Sequence, residues 1–210
     1  MSLRQAQKRL TRELLLREGL GLFESKGYAA TTIDDIAAAA GTTRQTFYQH
    51  FASKAALMKE LISAVDQLLI GRDDPRLSAV VESGDRARIS GWIGTKIDQW
   101  PVIRPYVTAA HEAASQDAEI QEAIDAWFDS AIGDIQVGLD VAGRFAPSSR
   151  RVRGTLAFGQ LEFASRRWMR HGWDVDREET HALLTESWVH LLVVGRGPDS
   201  GRLTQAVPRP

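Results

Sequence analysis

The sequence predicts an all-α protein in which an N-terminal three-helix head is joined through a shared fourth helix to a body of five helices. Three observations predict it. Apolar residues recur at helical spacing over most of the chain, and no alternating strand pattern of useful length occurs. Residues 31–54 carry helix caps in close succession around one glycine, Gly41.

A first helix is expected over residues 5–26, with Leu15, Leu16, Gly19, Leu22 and Phe23 recurring on one side. Gly19 and Gly21 weaken it by about 1 kcal/mol each relative to alanine, and Gly27 ends it. Thr32 caps the second helix, where Asp35 completes a capping box and Ile36, Ala37 and Ala40 form a narrow apolar face. Gly41 suits the left-handed position that closes a helix before a sharp turn. Thr43 caps a third helix. There Phe47 and Phe51, one turn apart, must point inward, which leaves Arg44, Gln45, Tyr48 and Gln49 pointing out. An exposed polar flank of that kind suits a DNA major groove. Ser53 caps a long fourth helix whose inward stripe is Leu57, Met58, Leu61, Ile62, Val65, Leu68 and Leu69.

Residues 71–75 break that helix, and the segment on to Asp85 reads as a linker. In the body, Ile89, Trp92, Ile93, Ile97 and Trp100 mark one helix. Pro101 and Pro105 bracket the start of the next, which ends near Gln116. Ile120, Ile124, Trp127, Phe128, Ile132, Ile135 and Leu139 mark a longer one. Residues 144–149 form a loop, and two last helices are expected over about 150–170 and 178–194. The expected division is therefore residues 1–52 for the head, 53–70 for the shared helix, 71–195 for the body and 196–210 for a flexible tail.

Composition narrows the function classes. A chain of 210 residues, 43% of them apolar, is long enough for a small domain plus a larger one and too apolar for disorder. With no cysteine, neither a disulfide framework nor a thiolate metal site is available. Nowhere do about 18 apolar residues follow one another, so a cytoplasmic protein with no membrane partner is expected. The net charge of -1 does not point to nucleic acid by itself. Its distribution is more telling, because residues 1–59 hold nine Lys or Arg against five Asp or Glu and the remaining 151 hold 17 against 22. A basic head on an acidic body fits phosphate binding confined to one end.

Leu22-Phe23, Gly27-Tyr28, Thr31-Thr32-Ile33, Ile36-Ala37, Ala40-Gly41, Thr43, Thr46-Phe47-Tyr48, His50-Phe51, Ser53-Lys54 and Leu57 stand in order and without a gap. This run, about the first quarter of the chain, resembles the DNA-binding region of the tetracycline-repressor (TetR) family of one-component regulators. It departs from the family pattern at Gly19, where alanine is usual, and at Gln45, where a small residue is common. The resemblance implies a dimer built through the last two helices of each subunit and an effector pocket among the body helices. Independently, Leu156, Gly159, Phe163, Trp188, Leu191 and Leu192 supply more apolar surface than a terminal helix pair needs for one core.

Arg44, Gln45 and Thr46, with Gln49 behind them, are candidates for base readout, since arginine reads guanine bidentately and glutamine reads adenine. Tyr48, His50 and Lys54 suit phosphate oxygens, while Thr32 and Thr43 offer hydroxyls or the free amides of helix starts. Trp92, Trp100, Tyr106, Trp127, Phe128 and Phe158 are candidates for the pocket wall, with Lys96 and Glu162 to orient a ligand. Plain core is the competing reading for the rings, and an ion pair with Arg166 for Glu162. His111-Glu112 begins a zinc-like motif but position 115 is serine, and His181, Glu186 and His190 approach one another only in part. No catalytic residue, metal or cofactor is therefore expected. The favoured reading is a homodimeric transcriptional repressor on a palindromic double-stranded DNA operator, released by a partly hydrophobic small-molecule effector. The competing reading is an all-helical small-molecule-binding protein or enzyme whose N-terminal bundle does not bind DNA.

Overall fold

A computed structural model describes residues 2–70 and 75–194. The expected break at 71–74, the inward positions of Leu68 and Leu69 and the tail from 195 lie outside the described residues and side chains. The elements are all helices: α1 Leu3–Lys26, α2 Ile33–Ala39, α3 Arg44–Tyr48, α4 Lys54–Ile70, α5 Leu77–Ser83, α6 Arg86–Ala114, α7 Ala118–Val141, α8 Pro147–His171 and α9 Arg177–Leu192. Among the described residues no helix is long and apolar enough to cross a membrane.

Local chemistry sets the boundaries of the head. Ser2 and Gln5 form a capping box that starts α1 two residues before the expected position. Thr32 accepts the Asp35 amide at 3.1 Å while Asp35 accepts the Thr32 amide at 2.8 Å, the reciprocal pair expected at the start of α2. Gly41 takes φ +65° and Gly27 takes φ +84°, conformations that cost glycine least. Leu15, Phe23, Ile36, Phe47, Phe51, Leu57, Met58 and Leu61 pack into one core. Complete burial of Phe47 contributes about 2–3 kcal/mol. At Gly19 a Cβ would stand 3.1 Å from Leu57 Cδ2, so the glycine that departs from the family pattern makes room for α4 against α1.

The head core is closed from the body's side by Ala109, Ala110 and Ala113 of α6 with Ile120 and Ile124 of α7. A second core gathers Val65, Leu77, Val81, Ile93, Trp100, Ile135, Leu161 and Trp188. Helix α4 feeds both, Leu57 and Leu61 entering the first and Val65 the second.

Three expectations for the body need correction. The two helices expected around Pro101 and Pro105 are one continuous α6. Two prolines remove two backbone hydrogen bonds, yet Ile93, Ile97, Trp100 and Ile103 run buried at helical spacing across them, and that packing carries the helix through. The expected linker contains helix α5, with Leu77, Val80 and Val81 buried. Gly138 permits it to lie against α7, because a Cβ there would overlap the Ser78 carbonyl and Val81. The body therefore keeps five helices, differently composed. Helix α8 also starts earlier than expected, at Pro147, whose fixed φ suits a first helical turn.

A fourth correction concerns the terminal pair. Trp188 and Leu192 are fully buried within the chain itself, and Trp188 Nε1 donates to the Ala157 carbonyl at 2.9 Å. Leu156 and Phe163 do face outward, at 53% and 67% exposure, in line with Val152 and with Gly159, where an added Cβ would meet no neighbouring element within 4 Å. On α9 the large exposed apolar residue is Leu183.

Candidate nucleic-acid interface and internal cavity

Helix α3 owes its orientation to residues that lie far from it in sequence. Phe47 within it and Phe51, three residues past its end and outside the helix expected to hold it, are both buried, with ring centroids 5.7 Å apart. Arg12 of α1 lays its guanidinium 4.4 Å over Phe51, donates to the His50 carbonyl at 3.2 Å and pairs with Glu60 of α4. One arginine thus fastens the end of the helix-turn-helix to both flanking helices.

Arg44, Gln45, Tyr48 and Gln49 are all exposed on one flank of α3. Arg44 is already directed along it: one guanidinium nitrogen binds Asp34 of α2 at 2.8 Å, and another donates to the Tyr48 hydroxyl at 3.3 Å. Those two partners hold the guanidinium above its ordinary pKa, Tyr48 first. Thr32 and Thr43 are exposed, but their hydroxyls serve as caps, and the Thr43 hydroxyl also lies 3.0 Å from that of the half-buried Thr46.

Two residues assigned to phosphate contacts sit otherwise. Lys54 donates to the carbonyls of Tyr28 and Thr31 at 2.6 and 2.9 Å, with its ammonium 4.1 Å over the Tyr28 ring. Burial lowers its pKa against the opposing pull of Glu112 and Asp117. It is a positioning group for the loop 27–31. His50 is half-buried with an unpartnered Nδ1, and burial, then Lys8 and Arg12, push its pKa down, so it is neutral at pH 7. The influence of Lys8 places the start of α1 near the recognition helix, a proximity the sequence pattern does not reveal.

In the body a cavity of about 140 Å³ is walled by α4 to α8. Trp92, Lys96, Trp100, Tyr106, Trp127, Phe128, Phe158 and Glu162 all lie on its wall. Glu162 pairs with Arg166 at 3.3 Å, and Arg166 reaches the wall as well. Ser130, Asp134 and Ser165, which the sequence pattern did not single out, line the same space, as does His111, which it weighed only for a metal. Burial, then Arg166, pulls the His111 pKa below its ordinary value. The neighbouring Glu112 points the other way: its Oε1 accepts the Tyr28 amide at 2.9 Å. His181 turns to α6, with Nε2 2.8 Å from the Ser90 carbonyl, and Glu186 pairs with Arg86 at 3.6 Å, so the histidine pair of α9 does not converge with it.

Comparison with known proteins finds likeness of sequence near the N-terminus and likeness of fold over most of the chain. The profile of bacterial regulatory proteins of the tetR family matches residues 15–61. The HTH-type transcriptional regulator TcmR of Streptomyces glaucescens is 44% identical over 68 residues, which cover 32% of this chain and 30% of that protein. The chain thus matches less than a third of the length of its curated relatives. Two solved structures extend the likeness of fold over the body. NalD of Pseudomonas aeruginosa, described as the secondary repressor of the MexAB-OprM multidrug efflux pump, superposes with a TM-score of 0.66 at 22% identity, covering 89% of this chain and 97% of that one. The fatty acid degradation regulator FadR of Bacillus halodurans gives 0.63 at 17% identity, covering 87% and 95%.

Proposed function

The chain belongs to the TetR family of DNA-binding transcription regulators, and from that premise we propose that it is a homodimeric repressor which a small molecule releases from a palindromic operator. The observation that carries the proposal is the exposed flank of α3, held in place by two buried phenylalanines and by Arg12. Arg44 and Gln45 at its start supply bidentate partners for guanine and adenine, and Gln49 and Tyr48 extend the contact.

One head reads too few base pairs for tight specific binding, which calls for a second copy on a symmetric site. Val152, Leu156, Gly159 and Phe163 of α8 with Leu183 of α9 form the apolar face for that copy, and the open surface at Gly159 lets two helices approach. NalD, which shares the fold, is itself a repressor. The body cavity is the place for an effector, and it lies next to helices α4 and α6, which also build the head core.

A gel-shift with the DNA flanking its own gene tests the proposal, using the intact protein and a triple variant, Arg44→Ala, Gln45→Ala and Tyr48→Ala. Each lost base contact costs about 1–3 kcal/mol, so the triple variant loses the specific shift and keeps only salt-sensitive, sequence-independent binding. A specific shift that survives in the triple variant removes α3 as the reader.

A further inference from the structure

We propose that the effector is an uncharged, flat aromatic molecule carrying a hydroxyl or comparable hydrogen-bonding group. The inference rests on the reading of the body cavity as the effector site and names what that site takes. Its first support is the charge of the wall. Lys96, Arg166, Asp134 and Glu162 line one space, two charges of each sign. Arg166 and Glu162 pair with each other at 3.3 Å, Lys96 lies 5.0 Å over the Trp92 ring, and Lys96 and Asp134 both have interactions within the protein. An ionic ligand entering here gives up its hydration and finds every counter-charge already engaged.

The second support is the rigidity of the aromatic wall. Trp100 is backed by Trp173, with rings 26° from parallel and centroids 5.6 Å apart, and Trp92 is backed by Trp188 at 30° and 5.4 Å. On the other side Phe158 meets Trp127 and Phe128 edge to face, at 5.9 and 5.8 Å. None of these rings leaves the wall without breaking a ring pair, so flat surfaces are standing before any ligand arrives. A flexible acyl chain would lose its conformational freedom against them, whereas a rigid ring system has little to lose. The polar contacts on offer are neutral ones, from His111, Ser130 and Ser165.

Calorimetric titration of the full chain with 2-naphthol, 2-naphthoate, 2-naphthyltrimethylammonium and decanoate tests the inference at neutral pH. The neutral naphthol binds at least about tenfold more tightly than each of the other three, since the penalty for burying an uncompensated charge exceeds one decade of affinity. Glu162→Gln leaves Arg166 without its counter-charge and keeps a side chain of the same shape on the cavity wall. It improves naphthoate relative to naphthol by about tenfold. The inference is overturned if naphthoate, the ammonium or decanoate matches naphthol on the unaltered protein, or if none of the four binds. Adding naphthol to the gel-shift separates the two readings: binding seen by calorimetry with the shift intact upholds the ligand class and removes effector release.

Discussion

Replacing Glu112 by alanine is expected to loosen the join between head and body. This carboxylate in the last turn of α6 accepts the Tyr28 amide at 2.9 Å, across 84 residues of sequence. It lies so close beneath Gly27 that a Cβ there would come 2.7 Å from Oε1, so only glycine leaves room for it. Lys54 grips the same loop through the carbonyls of Tyr28 and Thr31. Tyr28 itself is buried, and burial, with a smaller push from Asp117, drives its phenol up to about 12, so the ring stays neutral in the interior. Without the carboxylate the Tyr28 amide loses its acceptor in a site with little water. An unsatisfied buried donor costs about 1–3 kcal/mol, and about 2 is a reasonable centre. For a chain of this length each kcal/mol lowers Tm by about 2–4 °C, so Glu112→Ala lowers it by about 4–8 °C. Glu112→Gln keeps an acceptor at the same reach without the charge, and loses about half as much. Scanning calorimetry of the full chain reads both. A change below about 1 °C in the alanine variant would refute the idea that this contact holds the loop.

Lys8→Ala removes a cation near the recognition helix, so on the proposed function it flattens the slope of log affinity against log salt by about 0.9 without altering base preference; an unchanged slope would place Lys8 away from phosphate. On the proposed function, Phe163→Glu sets a charge at the C-terminal end of the exposed α8 stripe that meets the second copy. Light scattering at micromolar concentration should then give a monomer mass where the unaltered chain gives a dimer, and two dimers would clear this face of the role. His111 in the folded chain holds its proton less firmly than the ordinary 6.5. As pH falls below that value the unfolded chain takes up the proton first, so stability drops from about pH 6.5 down to the folded pKa and then levels. Urea midpoints of His111→Gln should fall less steeply over this window than those of the unaltered chain. Some slope remains, because His50 is shifted in the same direction. Equal slopes would mean that His111 is not buried as a neutral ring.

What sequence reasoning captured is what lies close together in sequence. The caps at Thr32, Thr43 and Ser53, the left-handed Gly41 and the inward Phe47 and Phe51 all follow from spacings of one turn. The aromatic residues of the cavity wall were also legible, since their spacing along α6, α7 and α8 sets them on inner faces. Helix α5 was hidden by its surroundings: Leu77, Val80 and Val81 have helical spacing, but serine, glutamate and glycine around them read as linker until Gly138 of α7 is known to leave a seat. The prolines of α6 misled because local rules count lost hydrogen bonds and not the buried stripe that outweighs them. Helix α9 has apolar residues on more than one side. Which side faces out depends on α8, and the Trp188 bond to Ala157 turns Leu183 outward. Arg12, Lys54 and Glu112 could not be placed as positioning groups, because their partners stand 38, 26 and 84 residues away.

Helix α6 has the geometry to join the two proposed activities in one element. His111 and Glu112 are successive residues about 100° apart around the helix, so one lines the cavity while the other binds the loop that opens the helix-turn-helix. Between them and the cavity's far wall at Trp92 stand Pro101 and Pro105, where two backbone hydrogen bonds are missing and bending is least costly. A molecule wedged among Trp92, Trp100 and His111 therefore acts on both sides of a weak point. The carboxylate beyond that point cannot follow without pulling on Tyr28. Binding alone shifts nothing, however, since a ligand moves an equilibrium only by the difference in its affinity for the two states. On the proposed function the rigid ring pairs supply that difference. They fix the far wall, so an effector that needs more room than the cavity offers gains its contacts only when the His111 end of α6 moves, and that end is the one tied to the head.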